Sequence, residues 1–236
     1  MALNDVALFL EAISIAIQLV LIVFLLRSSV RSYPLLLIYC VLQLLVTVVE
    51  AYVFRAFGGV DSSVYGRLYW TDEVILDLIL FLMVITLTYR ALEASPLRVG
   101  MGRLLGAVVV IVLVVPFVLF KARRFSTPWF DGTSQLLNFG AAIMNLGLWT
   151  ALIGTKKRDP LLLSVSAGLG VAVTGAAIAF GLRRFTPVQS TPQQLADLFK
   201  TITYLASVAI WCWAFRPRAR KSPAPPAVVS APTVPS

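Results

Sequence analysis

Several ionisable and amide side chains fall inside long apolar segments of this chain, where charged groups are costly and therefore uncommon. A carboxyl group in such a place can carry a proton or bind a cation. Lys200 can pair with Asp77 or with an acidic ligand. The candidate ligand- or proton-binding residues are Glu11, Glu50, Asp77, Asn138, Lys200 and Tyr204.

The spacing of the polar residues places each group on one face of a helix. Intervals of three and four residues separate Glu11 from Ser14 and Ser14 from Gln18, and the same intervals recur between Gln43 and Glu50. Side chains at these intervals lie on the same helical face. The pattern predicts a supporting polar network of Ser14, Gln18, Gln43, Thr47 and Asn145.

The same residues also have a structural interpretation. Hydrogen bonds between helices are a common use of polar side chains in membranes, and this use is the stronger expectation for Gln18 and Asn145. The long side chain of Lys200 can extend towards the headgroups. Glu50 and Asp77 are too short for that, so both a structural network and a ligand or proton site stay open for them.

The elements that must position these residues follow from composition. Hydrophobic residues make up 59% of the 236 positions and charged residues 13%, which is far from the balance of a soluble domain. Apolar runs of about 20 residues, enough to cross a bilayer as helix, predict an all-α polytopic integral membrane protein with seven transmembrane helices. The spans lie near 6–26, 34–55, 70–90, 103–120, 133–154, 161–182 and 195–215.

These spans form one seven-helix domain over residues 1–216. Residues 217–236 are first basic and then rich in Pro and Ala, which predicts a disordered cytoplasmic tail. Alternate loops differ in basic residues: the set that includes this tail holds twelve Lys and Arg, and the opposite set holds seven. Because basic loops are retained in the cytoplasm, we expect an outside N-terminus, a cytoplasmic C-terminus and a multi-pass location in the cell membrane.

With this orientation, the charged candidates and Asn138 lie within about 10 Å of one another in depth, near the outer ends of their spans. We therefore expect an outward-facing polar pocket with a deeper neutral floor made by Gln18, Gln43 and Asn145. Acidic residues still closer to the span ends are expected in the membrane interface, namely Asp72, Glu73 and Asp197. Tryptophans near the span ends are expected to be interface anchors, namely Trp70, Trp129, Trp211 and Trp213.

A weak internal repeat relates the two halves of the chain. A shift of 127 residues places Glu11 on Asn138 and Gln18 on Asn145. Spans one to three would then match spans five to seven, a 3+1+3 layout that resembles the topology of the SWEET sugar transporters. Mid-helix prolines typical of that family are absent from spans one, two, five and six, so the resemblance concerns topology alone.

A lysine in helix seven opposite a carboxylate in helix three resembles microbial rhodopsins. Lys200 lies near the outer end of its span, however, and the middle spans have few aromatic residues to line a retinal pocket. We expect no cofactor and no metal. The chain has no histidine, which excludes histidine-dependent hydrolases and oxidoreductases, and its Cys40 and Cys212 are expected to be free thiols.

Three functions are compatible with these observations. The first is a sensor or accessory membrane subunit with an outward-facing polar pocket, which needs a second membrane or cytoplasmic protein as partner. The second is a small proton- or cation-coupled transporter, and the third is a purely structural membrane protein. The lipid bilayer is the expected partner in every case, neither nucleic-acid binding nor enzymatic activity is expected, and the ligand is not indicated by the sequence.

Overall fold

The computed structural model describes residues 3–28, 33–57, 62–92, 98–119, 126–154, 159–186 and 190–216. Within these ranges all the regular secondary structure is helical, without strands. The helices are α1 Leu3–Ser28, α2 Pro34–Ala56, α3 Ser63–Ala91, α4 Arg98–Leu119, α5 Thr127–Gly154, α6 Pro160–Arg184 and α7 Thr191–Phe215. The all-α prediction with seven helices is confirmed.

Five of the described helices are long and apolar enough to cross a membrane, which indicates a multi-pass membrane protein. These spans are Pro34–Ala56, Val64–Ala91, Gly102–Leu119, Pro160–Arg183 and Thr191–Phe215. The described apolar part of α1, Ala12–Arg27, is shorter. Helix α5 is 28 residues long but carries many polar residues along its length.

Local signals set where the helices begin. Proline occupies the first turn of α2, α6 and α7, where its missing N–H removes no hydrogen bond. The Asp159 side chain accepts hydrogen bonds from the N–H groups of Leu161 and Leu162 at 2.9 and 3.3 Å. It thereby satisfies two of the amides that a helix start leaves unpaired.

The predicted spans differ most from the structure at the starts of α3 and α5. Helix α3 begins at Ser63 instead of residue 70, and α5 begins at Thr127 instead of residue 133. Apolar runs mark only the part of a helix that lies in hydrocarbon, whereas the helix itself continues into the polar interface. In α3 the early start is capped by the Ser62 side chain, which accepts from the Val64 N–H.

Six helices form a closed ring in the order α1, α2, α3, α5, α6, α7, and α4 packs outside it against α3 and α5. The ring order is compatible with the 3+1+3 layout, and the internal repeat stays a prediction. The C-terminal residues 217–236, for which a disordered tail was predicted, lie outside the described residues.

The most tightly packed contact in the ring joins α6 to α7. Trp211 is fully buried, and its indole N–H donates to the carbonyl of Val165 at 3.0 Å. A Cβ added at Gly168 would collide with the Trp211 ring and lie 3.0 Å from the Ser207 carbonyl oxygen. The prediction that Trp211 is an interface anchor is therefore wrong: the small residue at 168 opens a slot in the core for its ring.

Candidate functional site

A cavity of about 400 Å³ lies between α1, α2, α3, α6 and α7. It is at the end of the bundle where α2 leads to α3 and α6 leads to α7. Most of its lining side chains are polar, and the remainder are small or aliphatic. The lining comprises Ser14, Tyr39, Gln43, Thr47, Glu50, Tyr69, Glu73, Leu76, Asp77, Leu80, Ala172, Ala176, Arg183, Asp197, Lys200, Thr201 and Tyr204.

An ion pair between Lys200 and Glu73 crosses the cavity from α7 to α3. The two side chains are 27% and 13% exposed, and the ammonium also lies 5.0 Å from the centre of the Phe180 ring. Lys200 was expected to pair with Asp77 or with an acidic ligand, but Glu73, one helical turn from Asp77 on α3, takes the ion pair. The expected position of Glu73 in the membrane interface stays a prediction.

Asp77 is the most deeply buried carboxylate of the cavity, with 4% of its surface exposed. It lies beside the side chains of Asn138 and Ser134 and within electrostatic range of Lys200. The Asn138 amide donates instead to the Ser134 carbonyl at 2.9 Å. The Asp77 Oδ2 atom has no hydrogen-bond partner among the described residues, which is a costly state for a buried acceptor.

A second ion pair closes one side of the cavity mouth. The Arg183 guanidinium donates to the Asp197 carboxylate at 2.5 Å, joining the end of α6 to the start of α7. Arg183 also interacts with the Tyr69 hydroxyl on α3 and stacks over the Phe180 ring at 5.3 Å. Three helices are thus held together around one guanidinium.

Two carboxyl groups meet on the opposite wall. Glu50 on α2 lies beside Asp72 on α3, and Asp72 is 8% exposed. Asp72 is therefore packed inside the bundle, and its expected position in the membrane interface stays a prediction.

The remaining predicted residues divide between the cavity and other places. Ser14 lines the cavity, as do Gln43 and Thr47, and Thr47 donates to the Gln43 carbonyl at 3.0 Å. Tyr204 also lines it, and its buried hydroxyl oxygen has no partner among the described residues. Glu11 belongs to α1, but its side chain lies outside the described part of the chain.

Two of the amides expected in the neutral floor are located elsewhere. Gln18 is 2% exposed and donates from α1 to the Cys40 carbonyl on α2 at 2.7 Å, so the expected helix-to-helix hydrogen bond is confirmed. Asn145 lies apart from the cavity, in a groove on the outer side of α6. The predicted floor is therefore wrong in its composition, because Leu76, Leu80 and small residues of α6 form this part of the wall.

Acidic groups outnumber basic groups in the lining. Four carboxyl side chains face two cations, and each cation is already engaged by one carboxylate. The acidic groups are spread around the walls: in the described ranges, no three His, Cys, Asp or Glu side chains come together as metal ligands. The arrangement can therefore supply separate acceptors to one extended cationic ligand.

Comparison with protein-family models, curated proteins and solved structures finds no match. The chemistry of the cavity is therefore argued from its own residues.

Proposed function

We propose that this chain is a ligand-binding protein of the cell membrane, a sensor or accessory subunit and not an enzyme, whose cavity binds a small organic ammonium ion. The observation that carries the proposal is the partnerless Asp77 Oδ2 atom in a lining that already has an excess of carboxylates. A buried carboxylate without a donor is stabilised by an incoming cation. Selection for binding explains why a costly group is kept there.

The positions of the charges favour a ligand with one positive centre. Glu73 and Asp77 are one helical turn apart on α3, and Lys200 provides one ammonium between them. This part of the cavity therefore has one positive charge fewer than it has carboxylates. An ammonium beside Asp77 supplies that charge, and its N–H groups can donate to the Asp77 carboxylate.

The remaining walls favour an apolar group next to the ammonium. Leu76 and Leu80 on α3 face Ala172 and Ala176 on α6 across the cavity. Tyr39 adds an aromatic face on the α2 side, and aromatic faces also attract cations. A volume of about 400 Å³ is within the range of sites for small molecules. We infer an amphipathic primary amine.

The test uses the full chain in lipid nanodiscs, with phenethylamine and its neutral analogue 2-phenylethanol as probes. We expect calorimetric titration at neutral pH to show binding of the amine and much weaker binding of the alcohol. Asp77→Asn should weaken amine binding about 10- to 100-fold, the size of a lost charge-assisted hydrogen bond, and leave alcohol binding unchanged.

Asp159→Asn is the matched control, because it makes the same chemical change at the other end of the bundle. Asparagine retains the capping ability of Asp159, so both folding and amine binding should stay unchanged. Equal binding of amine and alcohol, or full amine affinity in Asp77→Asn, would contradict the proposal.

A second candidate function is supported by the closeness of the Glu50 and Asp72 carboxyl groups. A carboxyl pair that holds one proton can release it when a cation enters, which would couple cation movement to protons. In liposomes with an imposed pH gradient, the transporter hypothesis expects accumulation of radiolabelled phenethylamine that Glu50→Gln abolishes. The sensor hypothesis expects binding without accumulation above protein-free liposomes.

A further inference from the structure

The lining of the charged cavity changes from charged to uncharged with depth. Followed inward from the mouth, α3 contributes Glu73, then Asp77 and finally Leu80, while α6 contributes Arg183 first and Ala172 last. Leu80 is three residues beyond Asp77, which places it about 4.5 Å deeper along the helix axis. A ligand whose ammonium lies beside Asp77 therefore has its apolar group directed towards the inner end of the cavity.

The inner end of the cavity is a floor made by the last lining residues of α2, α3 and α6. These residues are Tyr39, Leu80 and Ala172. Ala172 has a single methyl group as its side chain and faces Leu80, so the free space above the floor depends on how small this residue is. A larger side chain at position 172 would occupy the space that the apolar group of the ligand needs.

A fully packed layer lies directly below this floor. Leu36, Val84 and Leu169 are about one turn deeper on α2, α3 and α6, and none of them has any exposed surface. Tyr39 packs edge-on against Trp211, with ring centroids 6.2 Å apart. Because close-packed interiors leave no room for added atoms, the floor cannot move inward to admit a longer ligand.

We propose that Ala172 and Leu80 set the upper size limit of the ligand. The cavity then selects primary amines whose apolar group is one aromatic ring or a short branched chain close to the nitrogen, and it excludes amines with a longer linker. The ammonium lies beside Asp77 and the apolar group rests on the floor. This inference rests on the proposed function, since it assigns the class of amine to the same site.

The experiment compares three amines of increasing length on the full chain in lipid nanodiscs. The probes are ethylamine, phenethylamine and 3-phenylpropylamine, and the heat of titration into empty nanodiscs is subtracted. We expect the unsubstituted chain to bind phenethylamine about tenfold more tightly than either of the other two amines. The ratios of affinities are the readout, because general damage to the fold would weaken all three alike.

Two substitutions should shift the size limit in opposite directions. Ala172→Val adds two carbons above the floor and should lower the ratio of phenethylamine to ethylamine affinity about tenfold. Leu80→Val removes one carbon and should bring 3-phenylpropylamine to nearly the affinity of phenethylamine. Ala167→Val is the matched control, because it makes the same change on the outer side of α6 and should leave every ratio unchanged.

The outcomes separate this inference from the proposed function. Phenethylamine binding that depends on Asp77, with the same size ratios in Ala172→Val and Leu80→Val as in the unsubstituted chain, would overturn the size limit alone. A shift of the ratios in Ala167→Val equal to that in Ala172→Val would overturn it equally. An unsubstituted chain that binds none of the three amines would overturn both.

Discussion

The two ends of the helix ring differ in whether their polar side chains are paired within the chain. At the end where α1 leads to α2 and α5 leads to α6, the Tyr33 ring packs against Phe215 with centroids 5.6 Å apart, and Arg90 stacks over it at 4.9 Å. Asp159 caps α6 at the same end. At the other end, a cavity holds four carboxylates, two cations and an acceptor atom without a partner.

This difference indicates that the end with paired side chains serves stability and that the cavity end serves binding. Where polar side chains are engaged within the chain, as Asp159 and Arg90 are, they need no ligand. An unsatisfied buried group lowers stability until a ligand supplies the missing interaction, so such groups gather at functional sites. Four experiments test the contrast, in order of decreasing effect.

The largest effect is expected from removing the cation that pairs with Glu73 and lies near Asp77. Lys200→Ala leaves Glu73 without its ion-pair partner in a largely buried place, which should lower the free energy of unfolding by about 3 kcal/mol. Lys200→Arg keeps the charge and should lose much less. Reversible unfolding in detergent, followed by circular dichroism, measures both. An unchanged Lys200→Ala protein would show that solvent compensates the carboxylates.

Two glycines of α6 compare the packing at the two ends directly. Gly168→Ala should cost about 1–3 kcal/mol, because the new Cβ meets the Trp211 ring and the Ser207 carbonyl. Gly181→Ala should be neutral or stabilising by up to about 1 kcal/mol, because nothing lies within 4 Å of its Cβ position. The same unfolding assay serves for both. Equal costs at the two sites would remove the distinction between the ends.

The third change should increase stability. Asp77→Asn removes a buried charge whose Oδ2 atom has no partner, and we expect a gain of about 1 kcal/mol without ligand. Phenethylamine should raise the melting temperature of the unsubstituted chain more than that of the variant. A destabilised Asp77→Asn protein would mean that the carboxylate serves the fold.

The smallest effect concerns pH at the closed end. Burial, helped by the Asp159 carboxylate and opposed by Arg90, raises the pKa of the Tyr33 phenol above its usual value of 10.0. The folded protein therefore keeps a proton that the unfolded chain has released, so stability falls as the pH rises above about 10. Tyr33→Phe should flatten this fall between pH 9 and 11. Tyr52→Phe, at a 69% exposed ring, should not.

The sequence was sufficient for the fold class, the helix number and most helix ends. It also placed Ser14, Gln43 and Glu50 on faces that do meet in one cavity. What it missed was the partner of Lys200. Glu73 was assigned to the interface by its distance from the span end, although its spacing of four from Asp77 puts both on one face of α3. The spacing argument used for α2 would have found it.

The arrangement of α5 could not be read from its own sequence. Asn138 and Asn145 are seven residues apart and share a face, but α5 packs against both α3 and α6. Asn138 lies beside Asp77 in the ring interior, and Asn145 lies in the outer groove. Which neighbour a helix face meets depends on crossing angles that emerge only when all the helices pack.

The central claim is that the cavity is open and lacks one positive charge. Thr47→Cys, in a background without Cys40 and Cys212, places a thiol in its lining, and Phe185→Cys provides an 87% exposed reference. Each is labelled in sealed vesicles with an impermeant cationic or anionic methanethiosulfonate. We expect the cationic reagent to react about tenfold faster at position 47 after normalisation to position 185, and phenethylamine to slow it. Equal rates for the two reagents, or no reaction at position 47, would contradict the account.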